Sequence, residues 1–184
     1  PMTDQRKRRS SPTAAGPGPE VDWPRVARLV LVSRELDRVE ETELVPAGLI
    51  AYQFSARGHE LPQVLTGLAL SHPHDGVVGY YRSRPLALAL GYTPEEALAA
   101  SMGRSGSQNA GRDTGVMYAM PSRGGATVLP SAGGVGTQYT PAAGWASAVR
   151  YRAHSLAEAA WAGAIGVAHG GDGSTATPGF WAAL

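Results

Sequence analysis

The sequence contains no cysteine. That excludes a disulfide framework, a thiolate metal site and a cysteine nucleophile, and it fits a cytoplasmic location. Long apolar runs are also missing. None approaches the ~18 residues needed to cross a bilayer, so no membrane partner is expected. Net charge is close to absent, at +1, and gives no global reason to expect nucleic acid. Glycine and proline, by contrast, are plentiful, with 24 and 14 among 184 residues, so irregular segments must interrupt the regular elements. The 43% of hydrophobic residues still suffices for one domain with a substantial core.

Residues 1–21 read as a disordered basic leader. Arg6 to Arg9 form a charge cluster with no apolar segment behind it, so this is not a secretory signal. A nucleic-acid or targeting arm is the alternative to a solvated leader. From Pro24 the pattern turns helical, with Val26, Leu29, Val30, Leu36 and Val39 recurring between Arg25, Arg28, Arg34, Asp37 and Glu40. Asp22 is placed to cap that helix. A shorter helix is expected after Glu60, and "GVVGYY" from Gly76 reads as a short buried strand. Thr93, Pro94 and Glu96 make a capping box at the start of a further helix. Residues 103–134 show no sustained period and read as one long loop region. A helix is expected from about Pro141 to Trp161, followed by "GAIGVAH" as a buried strand central to a parallel sheet. The fold class is therefore α/β, a parallel sheet flanked by helices.

Three stretches carry chemistry. In "GGDGS" the lone acid Asp172 stands between Gly171 and Gly173 at the end of the last strand. Glycines let backbone N–H groups approach a phosphate, while an acid beside a phosphate requires an intervening cation. Gly-Asp-Gly thus suggests a carboxylate holding Mg²⁺ against a diphosphate, the alternative being a simple strand-to-helix turn capped by Asp172. It is neither a Walker loop nor a Rossmann fingerprint. In "GYYRSRP", Tyr81 and Arg82 would bring a hydroxyl and a guanidinium into one cleft, or form only a surface stack. In "LPSAGGVGTQYTPAAG", Thr137 and Gln138 precede a helix and offer oxygens to a monovalent cation or a cofactor edge. His72, His74 and His154 read as ordinary surface or capping residues.

In this order, over about Leu44 to Leu184, the stretches "SARGHE", "YYR", "AGR", "GTQYTPAAG" and "GGDGSTATPGFWAAL" resemble a known family. It is the alpha subunit of the thiamine diphosphate-dependent 2-oxo acid dehydrogenases, most like the branched-chain type. The resemblance implies a thiamine diphosphate-binding fold over 22–184, truncated after the Gly-Asp-Gly turn. It implies that Tyr81 and Arg82 hold the diphosphate, that Asp172 ligates Mg²⁺ and that Gly171 and Gly173 supply close backbone. Val135 matches the apolar residue that supports the bent cofactor, and Thr137 and Gln138 match positions where some members bind K⁺. Arg112 matches an arginine of a mobile loop beside the active site.

The implied reaction is oxidative decarboxylation of a 2-oxo acid, branched-chain first and pyruvate second, with acyl transfer to a lipoyl carrier. The implied partners are a beta subunit, in an alpha2beta2 assembly, and a lipoyl acyltransferase core. Two departures stand out. Met117 falls where the family has a loop histidine, and a thioether neither donates a proton nor stabilises an oxyanion. The sequence also ends soon after Gly173, before the asparagine that completes Mg²⁺ ligation in the family. The isolated chain is therefore expected to be inactive. A noncatalytic paralogue that binds a partner subunit is the other reading these departures allow.

Overall fold

The computed structural model describes residues 20–51, 53–112 and 117–184. The basic leader lies outside the described residues, except for its last two positions.

Helix α1 spans Trp23–Val39 and begins as the sequence predicts, with the Asp22 carboxylate accepting the Arg25 N–H at 3.0 Å. One π-helical turn, Glu40–Leu44, extends it. Helix α2 covers Glu60–Ala69, and the first strand, β1, is Gly76–Val78. Helix α3, Arg84–Ala89, follows directly and is buried along its whole length. It packs against α2 so closely that a side chain on Gly67 would collide with Ala89. Helix α4, Pro94–Ser101, starts with the expected box: Thr93 Oγ1 accepts the Glu96 N–H and the Glu96 carboxylate accepts the Thr93 N–H.

Strand β2, Thr127–Val128, lies inside the stretch read as loop. Two residues are too few to leave a periodic signal, and the pairing with β1 is what creates the strand. Helix α5, Tyr139–Arg150, is shorter than expected. It loosens into a π-helical turn over Tyr151–Ser155, and Ala157 at φ 54° breaks the chain direction before a 3₁₀ turn at Ala159–Trp161. Strand β3 is Gly166–Ala168, and helix α6, Pro178–Ala183, folds back onto α5.

The three strands form one parallel sheet in the order β2-β1-β3. The α/β architecture is as expected, but the place of the last strand is not. Among the described residues β1 is central, with Val77 and Val78 fully buried, whereas β3 lies at an edge and is half-buried. The main core joins the sheet to α3 through Leu70, Val77, Leu86, Leu88, Tyr118 and Val128. A smaller cluster of Val26, Val64 and Ala89 closes α1 on α2 and α3.

Asp75 secures the amino ends of the strands. It is 4% exposed, and its carboxylate accepts the N–H groups of Ile165 at 2.8 Å and His72 at 3.0 Å. Its carbonyl accepts the Thr127 N–H at 2.8 Å, so one residue ties β1 to both neighbours.

Candidate functional site

Three parallel strands that start level also end on one side, and the segments leaving them converge there. Tyr80 and Tyr81 follow β1; Ala132, Gly134 and Val135 follow β2; Gly171, Asp172, Gly173 and Ser174 follow β3. With Gln138 at the start of α5, these residues line a cleft of about 300 Å³. Of the residues predicted from sequence, Tyr81, Val135, Gln138, Gly171, Asp172 and Gly173 all meet in it.

The local geometry of the Gly-Asp-Gly turn is set from below. Gly171 is extended, at φ −76° and ψ 163°, and Asp172–Ala176 forms a 3₁₀ turn. Ser174, 3% exposed, packs its hydroxyl against the Gly171 carbonyl and the Tyr139 hydroxyl. Gly170 is required by this packing, because a Cβ there would meet Tyr139, Ser174 and Gln138. Gly171 and Gly173 differ sharply: a Cβ on either would meet nothing within 4 Å, and neither has positive φ. The chain's own packing does not demand glycine at these two positions, and both line the cleft.

Asp172 is exposed within this turn. Among the described residues no cluster of three His, Cys, Asp or Glu could hold a metal ion. Among the described residues a transition-metal site of protein ligands alone is therefore not formed, whereas Mg²⁺ typically takes one or two carboxylates and completes its shell with phosphate oxygens and water. The donor set fits that second arrangement. Val135 is 53% exposed, an apolar side chain on the cleft wall.

The structure separates other predicted pairs. Tyr81 lines the cleft but Arg82 does not. The Arg82 guanidinium turns back to donate to the Ser55 carbonyl, with its carbon 5.4 Å from the Tyr81 ring centre and 5.8 Å from that of Phe54. A carbonyl and two ring faces give the cation its partners there. Gln138 is buried against the cleft, whereas the Thr137 hydroxyl donates to the carbonyls of Gly134 at 2.7 Å and Ala132 at 3.1 Å. Arg112 is exposed and lies outside the cleft lining, next to residues 113–116, which are outside the described residues. Met117 takes a weak hydrogen bond from Ser131 Oγ to its sulfur at 3.8 Å, which seats it against the loop that carries Ala132 and Gly134.

None of His72, His74 and His154 lines the cleft. His74 stacks on Trp161 with ring centres 4.0 Å apart, and its backbone N–H donates to His72 Nδ1 at 3.1 Å. The sequence reading missed two other histidines. His59, Gln63, Tyr80 and His169 line a second hollow of about 260 Å³ that shares Tyr80 with the cleft. The Tyr80 hydroxyl and His59 Nδ1 are 2.9 Å apart. Burial holds His169 below the ordinary histidine value. The signal for His59 was its place in "SARGHE", and for His169 its position immediately after β3 and before the glycine turn.

A family model, dehydrogenase E1 component, matches residues 28–184. The chain belongs to this family. Its members are thiamine diphosphate-dependent 2-oxo acid dehydrogenase components, and they generally work with beta subunits and acyltransferase cores. The match takes in α2, all three strands and the Gly-Asp-Gly turn, and so includes every residue of the cleft. No helix among the described residues is long and apolar enough to cross a membrane.

Proposed function

We propose that the cleft at the carboxyl ends of the sheet grips the diphosphate of thiamine diphosphate through Mg²⁺, in an enzyme that decarboxylates a branched-chain 2-oxo acid, with pyruvate the second choice. The observation that carries this reading is the open space beside Gly171 and Gly173, which line one cleft with the carboxylate-bearing Asp172 between them. Backbone N–H groups reach an oxyanion closely only where no Cβ intervenes. Asp172 would supply the carboxylate to Mg²⁺, Tyr81 a hydroxyl to the phosphates, and Val135 an apolar support for the ring system. Arg82, just behind Tyr81, would add charge from the rim, and Thr137 with Gln138 could serve K⁺. Arg112 is assigned to the loop beside the reacting centre.

When bound, thiamine diphosphate supplies the carbanion chemistry that decarboxylation needs. This chain's residues bind and orient it. The acyl group would pass to a lipoyl carrier on an acyltransferase core, and a beta subunit would complete the site in an alpha2beta2 assembly. Met117 favours a second reading, a noncatalytic subunit-binding chain, because its thioether cannot carry a proton at the position where the family holds a histidine.

Calorimetry of the chain with its beta partner tests the assignment. Mg²⁺-dependent binding of thiamine diphosphate is expected, lost in Asp172→Ala and weakened in Arg82→Ala. Binding that survives both substitutions unchanged would refute it. Decarboxylation of the bound complex, assayed with branched-chain 2-oxo acids, separates the enzyme from the noncatalytic reading.

A further inference from the structure

Arg82 borders the cleft, yet its guanidinium donates to a main-chain carbonyl, that of Ser55. What fixes Ser55 therefore fixes the guanidinium. The segment around Ser55 is held from inside the protein by one buried carboxylate. Asp37, on α1 and 0% exposed, accepts four hydrogen bonds. Its Oδ2 takes the Ser55 hydroxyl at 2.7 Å and the Ala56 N–H at 2.9 Å. Its Oδ1 takes the Gln53 side-chain amide at 3.1 Å and Arg84 Nη1 at 3.0 Å. Three of these four donors come from residues 53–56, the same short segment whose carbonyl receives Arg82.

The fourth donor closes the arrangement. Arg84 is only two residues beyond Arg82, is 4% exposed, and also donates to both oxygens of Glu40 at 2.7 Å. Glu40 accepts the Ser101 hydroxyl as well, so its charge is fully engaged. Arg82 is thus gripped twice from one source. Its backbone is held because Arg84 is clamped to α1, and its side chain because Ser55 is clamped to the same Asp37. A buried ion pair is expensive to desolvate and is weak evidence for stability in itself, which leaves room for a role in fixing geometry. Apolar residues of similar size would fill the space between α1 and α3 but would leave the Ser55 peptide free to turn.

We infer that Asp37 is a positioning residue, which through Ser55 and Arg84 sets the guanidinium of Arg82 beside the cleft for an oxyanion. The inference rests on the diphosphate reading of the cleft, and two measurements on the full chain keep them apart. The first is nitrogen NMR of the arginine side chains without any ligand. Arg82 is expected to show restricted Nη rotation in the parent protein and free rotation in Asp37→Asn. Restricted rotation that persists in a folded Asp37→Asn protein overturns the inference, whatever the cleft binds. Ser55→Ala removes one of the four bonds and serves if Asp37→Asn does not fold. It should loosen Arg82 in part, and an unchanged Arg82 signal again overturns the inference.

The second measurement is calorimetric titration with Mg²⁺ and inorganic pyrophosphate. Asp37→Asn is expected to weaken binding about tenfold in the parent protein and less than about twofold in an Arg82→Ala background. Equal losses in both backgrounds would make Asp37 a general support of the fold and overturn the inference. Equal pyrophosphate binding by the parent protein and Arg82→Ala would instead refute the diphosphate reading at Arg82, with the NMR result still deciding whether Asp37 positions it.

Discussion

The carboxylate of Asp75 accepts the backbone N–H of Ile165 at 2.8 Å, across 90 positions of sequence. The same residue's main-chain carbonyl holds Thr127, so the starts of all three strands meet at one buried residue, whose side chain serves the β1–β3 side. Asp75→Ala removes the acceptor and leaves the Ile165 and His72 N–H groups unpaired. A loss of about 1–3 kcal/mol in unfolding free energy is expected, from urea denaturation. Asp75→Asn, which keeps one acceptor oxygen, should cost less.

Arg84 joins α3 to Asp37 of α1 and Glu40 of the π-helical turn that extends it, and removing it would strand both charges in the core. Arg84→Ala is expected to destabilise by about 3–5 kcal/mol, the usual result of breaking one side of a buried pair. A volume-matched triple change of Arg84, Asp37 and Glu40 to apolar residues should recover most of that. Thermal unfolding of the two proteins side by side checks the contrast.

Acid should weaken the fold through Glu96 and Glu60. Hydrogen bonding from Arg123 holds the Glu96 carboxyl below its ordinary value of 4.5. Glu60 is pushed up by burial, but Arg34 and the Gly58 N–H more than offset this and leave it lowered. For both acids the folded value is depressed, so their stabilisation is present above pH 4.5 and is lost as pH falls through the folded value. Asp37 acts in the opposite sense. Burial raises it above 3.8, so its share is greatest below that pH and is lost as pH rises through the folded value. In urea midpoints measured from neutral to acid pH, Glu96→Gln should trail the parent at neutrality and converge with it in acid.

Thr93 caps α4 in a reciprocal box. Thr93→Ala should cost about 1 kcal/mol, readable as a lower denaturation midpoint with an unchanged slope. Cleft binding should not change, because α4 contributes nothing to the cleft lining.

Much of this fold was legible where signals are local. The caps at Asp22 and Thr93 depend on residues three apart, and the glycine turn after β3 on residues in direct succession. What escaped was created by distant partners. Strand β2 exists because β1 lies beside it. Asp37 and Glu40 stood among the charges between the apolar positions, yet Asp37 follows buried Ser33, and Glu40 follows buried Leu36, by four residues, which keeps both on the buried side of α1 and its π-helical extension. A charge placed within an apolar stripe calls for a buried cation elsewhere, and Arg84, set before "PLALAL", was that cation. Of the cleft residues, Tyr81, Gly171, Asp172 and Gly173 were found because they follow expected strands, Gln138 because it precedes a helix, and Val135 through the family resemblance alone. Arg82 was placed too far into the cleft because nothing in the sequence announces that the Ser55 carbonyl will take its guanidinium.

The open sides of Gly171 and Gly173 bear on how this chain tolerates change. A selection for folded, expressible protein would reject a side chain at Gly170 but would pass alanine at Gly171 and Gly173, since nothing in the fold objects. Only a selection for ligand capture would hold those two positions to glycine. Comparing the variants that survive each screen would separate what the turn needs in order to exist from what it needs in order to act.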